Sequence, residues 1–145
     1  MNAGGVDKAC KSNAGSWTLV ASCWIILIWG NFSNLELYKR ANASFPKVYK
    51  LVRRWDKDDQ KEIGSQLIRV ADSIHANIAE GSAKFKRNFA RYIGIAIGSC
   101  DETISHINDA FNVGLISQET RNVLISEYEI VGKQLTKLKQ FLSSN

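Results

Sequence analysis

The residues that come closest to a reactive constellation are Asp72-x-x-His75 and the pair Glu102 and His106, four positions apart. On a helix these spacings put carboxylate and imidazole on one face, where both could donate to a metal ion. A dinuclear centre in a helical bundle takes a carboxylate from each of two helices and Glu-x-x-His from each of the other two. This chain offers one Asp-x-x-His and no second carboxylate-x-x-His in that order, so no metal centre is expected and each histidine reads as a packed or surface residue. Ser99 has no neighbouring motif that marks a nucleophile, and Gly94 and Gly98 fall inside a helical pattern rather than in a phosphate-cradling loop. Neither catalysis nor a cofactor is expected.

Polar residues among apolar helical stripes are the next candidates. Asn77 and Glu80 lie three apart near the end of one segment, and Arg91 lies early in the next. If the two segments are antiparallel, an ion pair or amide network can cross the turn, with Glu102 as a further member. Its expected role is to fix register or a subunit contact, with a ligand or catalytic role as the alternative.

The net charge of +5 is unevenly placed. Residues 39–91 hold 13 Lys/Arg against 6 Asp/Glu, a local +7, whereas residues 92–145 hold 4 against 6, a local −2. Candidate phosphate contacts are Arg53, Arg54 and Lys57 in one group and Lys84, Lys86, Arg87 and Arg91 in another. Basic surfaces of this kind hold a nucleic-acid backbone or an acidic protein. Neither a recognition helix nor a stacking aromatic cluster is evident, so contact would be to phosphate without base reading. The alternative is an ordinary solvated helix surface, whose charges keep the chain soluble.

The elements that must position these residues are helical. In the first, expected over 34–55, Tyr38, Ala41, Phe45, Val48, Val52 and Trp55 recur at spacings of 3 and 4; Pro46 must kink it or open its regular part. Acidic residues 56–59 lead into a second helix carrying Ile63, Leu67, Val70, Ile74 and Ile78, with Gly81 as its expected left-handed stop. The third and longest, over 86–113, carries Phe89, Tyr92, Ile93, Ala96, Cys100, Ile104, Ile107 and Phe111, and ends at Gly114. Gly94 and Gly98 inside it suggest that a neighbouring backbone comes close. Ser117 caps the fourth, whose stripe is Leu124, Tyr128, Val131, Leu135, Leu138 and Leu142. Short connections make successive helices antiparallel, so the fold class is all-α, an up-down-up-down four-helix bundle over 34–145. In that topology the two basic groups fall at opposite ends.

Residues 1–33 read differently. No charge occurs between Lys11 and Glu36, and residues 17–29 are strongly apolar. Three readings stand: a secretory signal with a poor cleavage site, a weak membrane anchor, or a translated stretch upstream of the true start, the last being favoured. Three cysteines without a C-x-x-C pair indicate neither a disulfide framework nor a cysteine zinc site, and point to reducing cytoplasm.

Leu37-Tyr38-Lys39-x-Ala41, Gln66-Leu67-Ile68-Arg69-x-Ala71-x-Ser73-Ile74, Asn77-Ile78-Ala79-Glu80-Gly81, Phe89-x-Arg91-Tyr92 and Ala96-x-Gly98-Ser99-x-x-Glu102 together resemble the four-helix-bundle family encoded in intervening sequences of bacterial 23S ribosomal RNA genes. The chain departs from that pattern at Ala83-Lys84, where Gly-Arg is usual, at Asn88, and at Trp55. The resemblance implies a homopentamer and no enzymatic activity. A related accessory protein of diversity-generating retroelements binds a reverse transcriptase and nucleic acid. The expected function is therefore a non-enzymatic, cytoplasmic oligomer that binds RNA or DNA backbone, or a nucleic-acid-processing protein, through a basic surface. The alternatives are a purely structural scaffold and, if residues 1–33 are retained, a membrane-tethered adaptor.

Overall fold

The computed structural model describes residues 33, 35–84 and 86–144, so the leader readings for residues 1–33 fall outside it apart from Ser33. Four helical elements follow one another. Helix α1 is Glu36–Val52. Helix α2 is one run in three stretches, an opening turn Lys57–Asp59, a wider π-helical turn Gln60–Gly64, and Ser65–Ser82. Helix α3 is Lys86–Asn112 and α4 is Gln118–Ser143. Helix α3 packs extensively on both α2 and α4; α1 lies along α2 and touches α4 more lightly.

The 3-and-4 stripes form the core. Val48, Leu67, Ile74, Ile78, Ile93, Ile107, Val131 and Leu135 are all fully buried. Removing each such side chain from water contributes about 1.5–3 kcal/mol, which outweighs the weak helix propensity of the branched residues among them. Pro46 lies inside α1 and neither kinks off a separate segment nor opens the helix. It leaves the Asn42 carbonyl without its helical donor, and both residues are exposed, so solvent can fill that role.

Each turn has its own physical cause. Between α1 and α2, Trp55 lies beyond the end of α1 yet is buried beneath the turn. Asp56 Oδ1 caps α2 by accepting from Asp58 N at 3.0 Å and Asp59 N at 2.9 Å. The hydrogen bonds from Asp59 hold the Asp56 carboxyl below the usual carboxylate range, while the side-chain bond with Asp56 raises that of Asp59. Gly64 is buried against α1, and a Cβ there would stand 2.3 Å from Val52 Cγ1.

Gly81 does not stop α2 in a left-handed conformation. It lies within the helix, and a Cβ on it would meet Tyr92 Cβ at 2.6 Å and Phe89 Cδ2 at 2.7 Å, so glycine is there to let α3 come close. Among the described residues the left-handed glycine is Gly114, with φ 83°. There the chain closes α3 with Leu115 N donating to Ala110 O at 2.9 Å, and Ser117 Oγ caps α4 by accepting from Thr120 N at 3.1 Å. The close approach suggested by Gly94 and Gly98 does not occur within the chain. A Cβ on Gly94 would meet only the end of Lys139, and one on Gly98 would meet nothing within 4 Å.

Candidate nucleic-acid interface

Arg53, Arg54 and Lys57 are brought together by the α1–α2 turn, and all three are exposed. The turn is rigidly specified. Gln60 Nε2 donates to the Trp55 carbonyl at 2.7 Å, and Arg53 Nη1 donates to Gln60 Oε1 at 3.3 Å. The basic surface extends beyond the three residues expected from the sequence. Lys47 and Lys50 stand on the same side of α1 as Arg54, at spacings of 3 and 4.

These residues border a groove of about 400 Å³ between α1 and α4, with Leu51, Val123 and Leu124 as its apolar lining and Glu119 and Thr120 on the α4 side. Val123 is 53% exposed. Lys47 Nζ is paired with Glu127 across the groove, which offsets its charge. The positive charge of this end is carried by Lys50, Arg53, Arg54 and Lys57, beside the carboxylates of Asp56, Asp58 and Asp59 on the same turn. Tyr49, 45% exposed, stands beside Lys50.

The second basic group lies at the other end of α2. Lys84 and Arg87 and Arg91 are exposed, and Lys86 opens α3. With α2 rising 1.5 Å per residue, the groups are roughly 40 Å apart, so they do not form one patch on the chain.

Of the four residues expected to form a polar network, Glu80, Asn77 and Glu102 take part in three separate interactions and Arg91 in none of them. Glu80 is bonded to Tyr92, whose hydroxyl donates to Glu80 Oε1 at 2.7 Å, and not to Arg91. That bond raises the Tyr92 phenol above its usual value. Asn77 Nδ2 donates to the Ser73 carbonyl at 2.7 Å and to Ser73 Oγ at 2.9 Å; Ser73 Oγ and Ser99 Oγ lie 3.0 Å apart, either one donating. Thr103 Oγ1 continues this ladder by donating to Ser99 O at 2.7 Å. Glu102 Oε1 lies 3.8 Å from His106 Nε2. Arg91 is exposed and fell outside the network because at position 91 it points away from the α2–α3 seam, whereas Tyr92 faces it.

A cross-helix polar ladder therefore exists, built on Asn77, Ser73 and Ser99. Ser73 and Ser99 were missed as members because hydroxyls on small residues read as packing; the Asn77 spacing of four from Ser73 was the available signal. The ladder satisfies its members and pins the register of α2 against α3.

His75 is packed against α1, with its ring 6.2 Å from Tyr38 and 5.5 Å from Phe45, and Asp72 Oδ1 lies 3.4 Å from its Nε2. Among the described residues no group of three or more His, Cys, Asp or Glu stands together to hold a metal. Burial pushes the Cys100 thiol up to about 12. No helix of the described residues is long and apolar enough to cross a membrane.

Comparison with known proteins supports the architecture. No curated protein matches the chain. A crystal structure of a protein of unknown function from the S23 ribosomal protein family of Bacteroides thetaiotaomicron superposes with a TM-score of 0.68 at 18% identity, covering 76% of this chain and 99% of that one. At that identity the likeness is one of fold. The model of the 23S rRNA-intervening sequence protein family matches residues 33–137, the span of helices α1 to α3 and most of α4, and the chain belongs to that family.

Proposed function

We propose that the chain is a non-enzymatic, cytoplasmic homo-oligomer, a pentamer by likeness to its family, that holds a nucleic-acid phosphate backbone, that of RNA foremost, on the α1–α2 end. The observation that carries this reading is the exposed set Lys50, Arg53, Arg54 and Lys57 on one end of the bundle, with Lys47 beside it along α1. The cations are presented by a turn whose hydrogen bonds fix its shape, so little order is lost on binding. Repetition around an oligomer multiplies a modest local charge into a strong field.

Four phosphate contacts per protomer imply a log–log salt slope of about −3 on a single strand, or roughly a 150-fold loss of affinity between 50 and 300 mM salt. Fluorescence anisotropy with a labelled single-stranded RNA, using the full chain, measures this directly. Lys50→Glu with Arg54→Glu should weaken binding across all sequences and flatten the slope. Absence of binding at 50 mM would sink the reading and leave a scaffold whose partner is a protein.

A further inference from the structure

One face of α1 is cationic over most of its length. Arg40, Ala43, Lys47, Lys50 and Arg54 recur at spacings of 3, 4, 3 and 4, and all are exposed. They form one line, roughly 20 Å long at 1.5 Å per residue, along the side of α1 that meets α4. Among the described residues Arg40, Lys50 and Arg54 take part in no ion pair, while Lys47 is paired with Glu127 of α4.

The facing edge of α4 is apolar instead. Val123 lines the groove with Lys50 and Leu51, and Ile130, two turns further along α4, stands on the same edge. They are 53% and 38% exposed. Because α1 and α4 touch only lightly, the seam between them is open beside these side chains.

The geometry points to this seam as the path of a single strand, its phosphates on the α1 line and its unpaired bases against Val123 and Ile130. The inference rests on the nucleic-acid reading above and adds the class of nucleic acid, one whose bases are free. Charge sets the orientation: Glu119 on the α4 wall repels phosphate and keeps the backbone to the α1 side. Apolar side chains gain nothing from phosphate, whereas a base face turned to them leaves water. In a duplex the bases are stacked and paired with each other, so only the cations of the seam are used.

An acidic amphipathic helix also has carboxylates for one stripe and apolar side chains for the other. The bridge from Lys47 to Glu127 decides against it, since it crosses the seam between the levels of Val123 and Ile130. A helix about 10–12 Å across needs a continuous trough. A flexible strand passes over the bridge and sets a base on either side of it.

Fluorescence anisotropy with the full chain at 50 mM salt compares a labelled single-stranded RNA, the same sequence as a duplex, and an abasic strand of equal length. A surface that contacts phosphate alone holds the duplex at least as tightly, because the duplex has the higher charge density. The single strand should bind about tenfold more tightly than either of the others. Val123→Ser with Ile130→Ser should cost the single strand about fivefold in affinity without changing its salt slope, since apolar contacts release no counterions, and should leave the duplex within about twofold. Arg40→Ala should flatten the single-strand slope by about 0.7, the share of one phosphate contact. Far-UV circular dichroism checks that each variant is folded.

A duplex or abasic strand bound as tightly as the single strand, an affinity indifferent to the double serine variant, or a slope unmoved by Arg40→Ala overturns the seam path and leaves phosphate binding at the α1–α2 end standing. Absence of binding by all three probes overturns both readings and leaves the seam to a protein partner.

Discussion

Replacing Gly64 with alanine places a methyl group 2.3 Å from Val52 Cγ1 and 3.4 Å from Trp55 Cε3, in the corner that holds the α1–α2 turn. Val52 is 1% exposed, and its β-branched side chain has one favoured rotamer in a helix, so it cannot swing aside cheaply. Overpacking of this kind costs about 1–3 kcal/mol, and the gain from substituting alanine for glycine in a helix offsets up to about 1 kcal/mol of it. The expected net loss is about 1–2 kcal/mol. Gly132→Ala is the control, since a Cβ there would stand 3.9 Å from Cys100 Cβ, an ordinary contact, and the helix gain of about 1 kcal/mol should then appear as added stability. Urea unfolding at fixed protein concentration, followed by far-UV circular dichroism, reads both. With a slope of about 1.5 kcal/mol per M, Gly64→Ala should lower the midpoint by about 1 M and Gly132→Ala should raise it. A Gly64→Ala midpoint at or above the wild-type value would refute the claim that close contact dictates glycine at this corner.

Three further outcomes follow from the geometry. Asn77→Ala removes two donors to Ser73 at the α2–α3 seam and should cost about 1–2 kcal/mol in the same urea assay, while Asn77→Asp, which keeps the shape but loses the donors, should cost no less. The Tyr92 phenol, raised chiefly by its bond to Glu80, should titrate closer to its ordinary value in Glu80→Gln, as followed by ultraviolet absorbance or NMR. Because the folded value is the higher one, this bond's contribution to stability is complete below the ordinary tyrosine value and disappears as pH rises through the folded value. Cys100, buried and with its thiol at about 12, should resist alkylation at pH 8 in the folded chain and react in urea, as read by peptide mass spectrometry; equal rates in both states would contradict its burial.

The helices were legible because 3-and-4 spacing of apolar residues is the condition for burying one face, and every residue of the α4 stripe from Leu124 to Leu142 is buried. Asp56 and Ser117 were legible as the acidic lead into α2 and the cap of α4, since short oxygen-bearing side chains at helix starts have one obvious use. Gly81 was misread because glycine near a helix end serves either backbone conformation or close packing, and only the position of Phe89 and Tyr92 across the turn distinguishes the two. The Glu80 partner was misassigned for a related reason: opposite charge suggested Arg91, but the neighbouring position faces the seam. Lys47 and Lys50 were left out of the phosphate contacts expected from the sequence, although their spacing to Arg54 was the available signal. The pairing of Lys47 with Glu127 spans 80 positions and leaves no local trace.

The lighter attachment of α1 has a consequence for the order in which the bundle comes apart. Helices α2, α3 and α4 are sequential neighbours whose contacts close over short stretches of chain, whereas α1 reaches α4 only across most of the domain, through contacts such as Lys47 with Glu127. Loop closure over that span is the most demanding step in entropy, so α1 should dock last and release first. In hydrogen exchange its amides belong to the least protected cooperative unit, opening at a free energy below that of global unfolding. A polyanion bridging Lys50 and Arg54 on α1 with Lys57 at the start of α2 would tie that loose helix to the rest, and its binding should be visible as slowed exchange along α1.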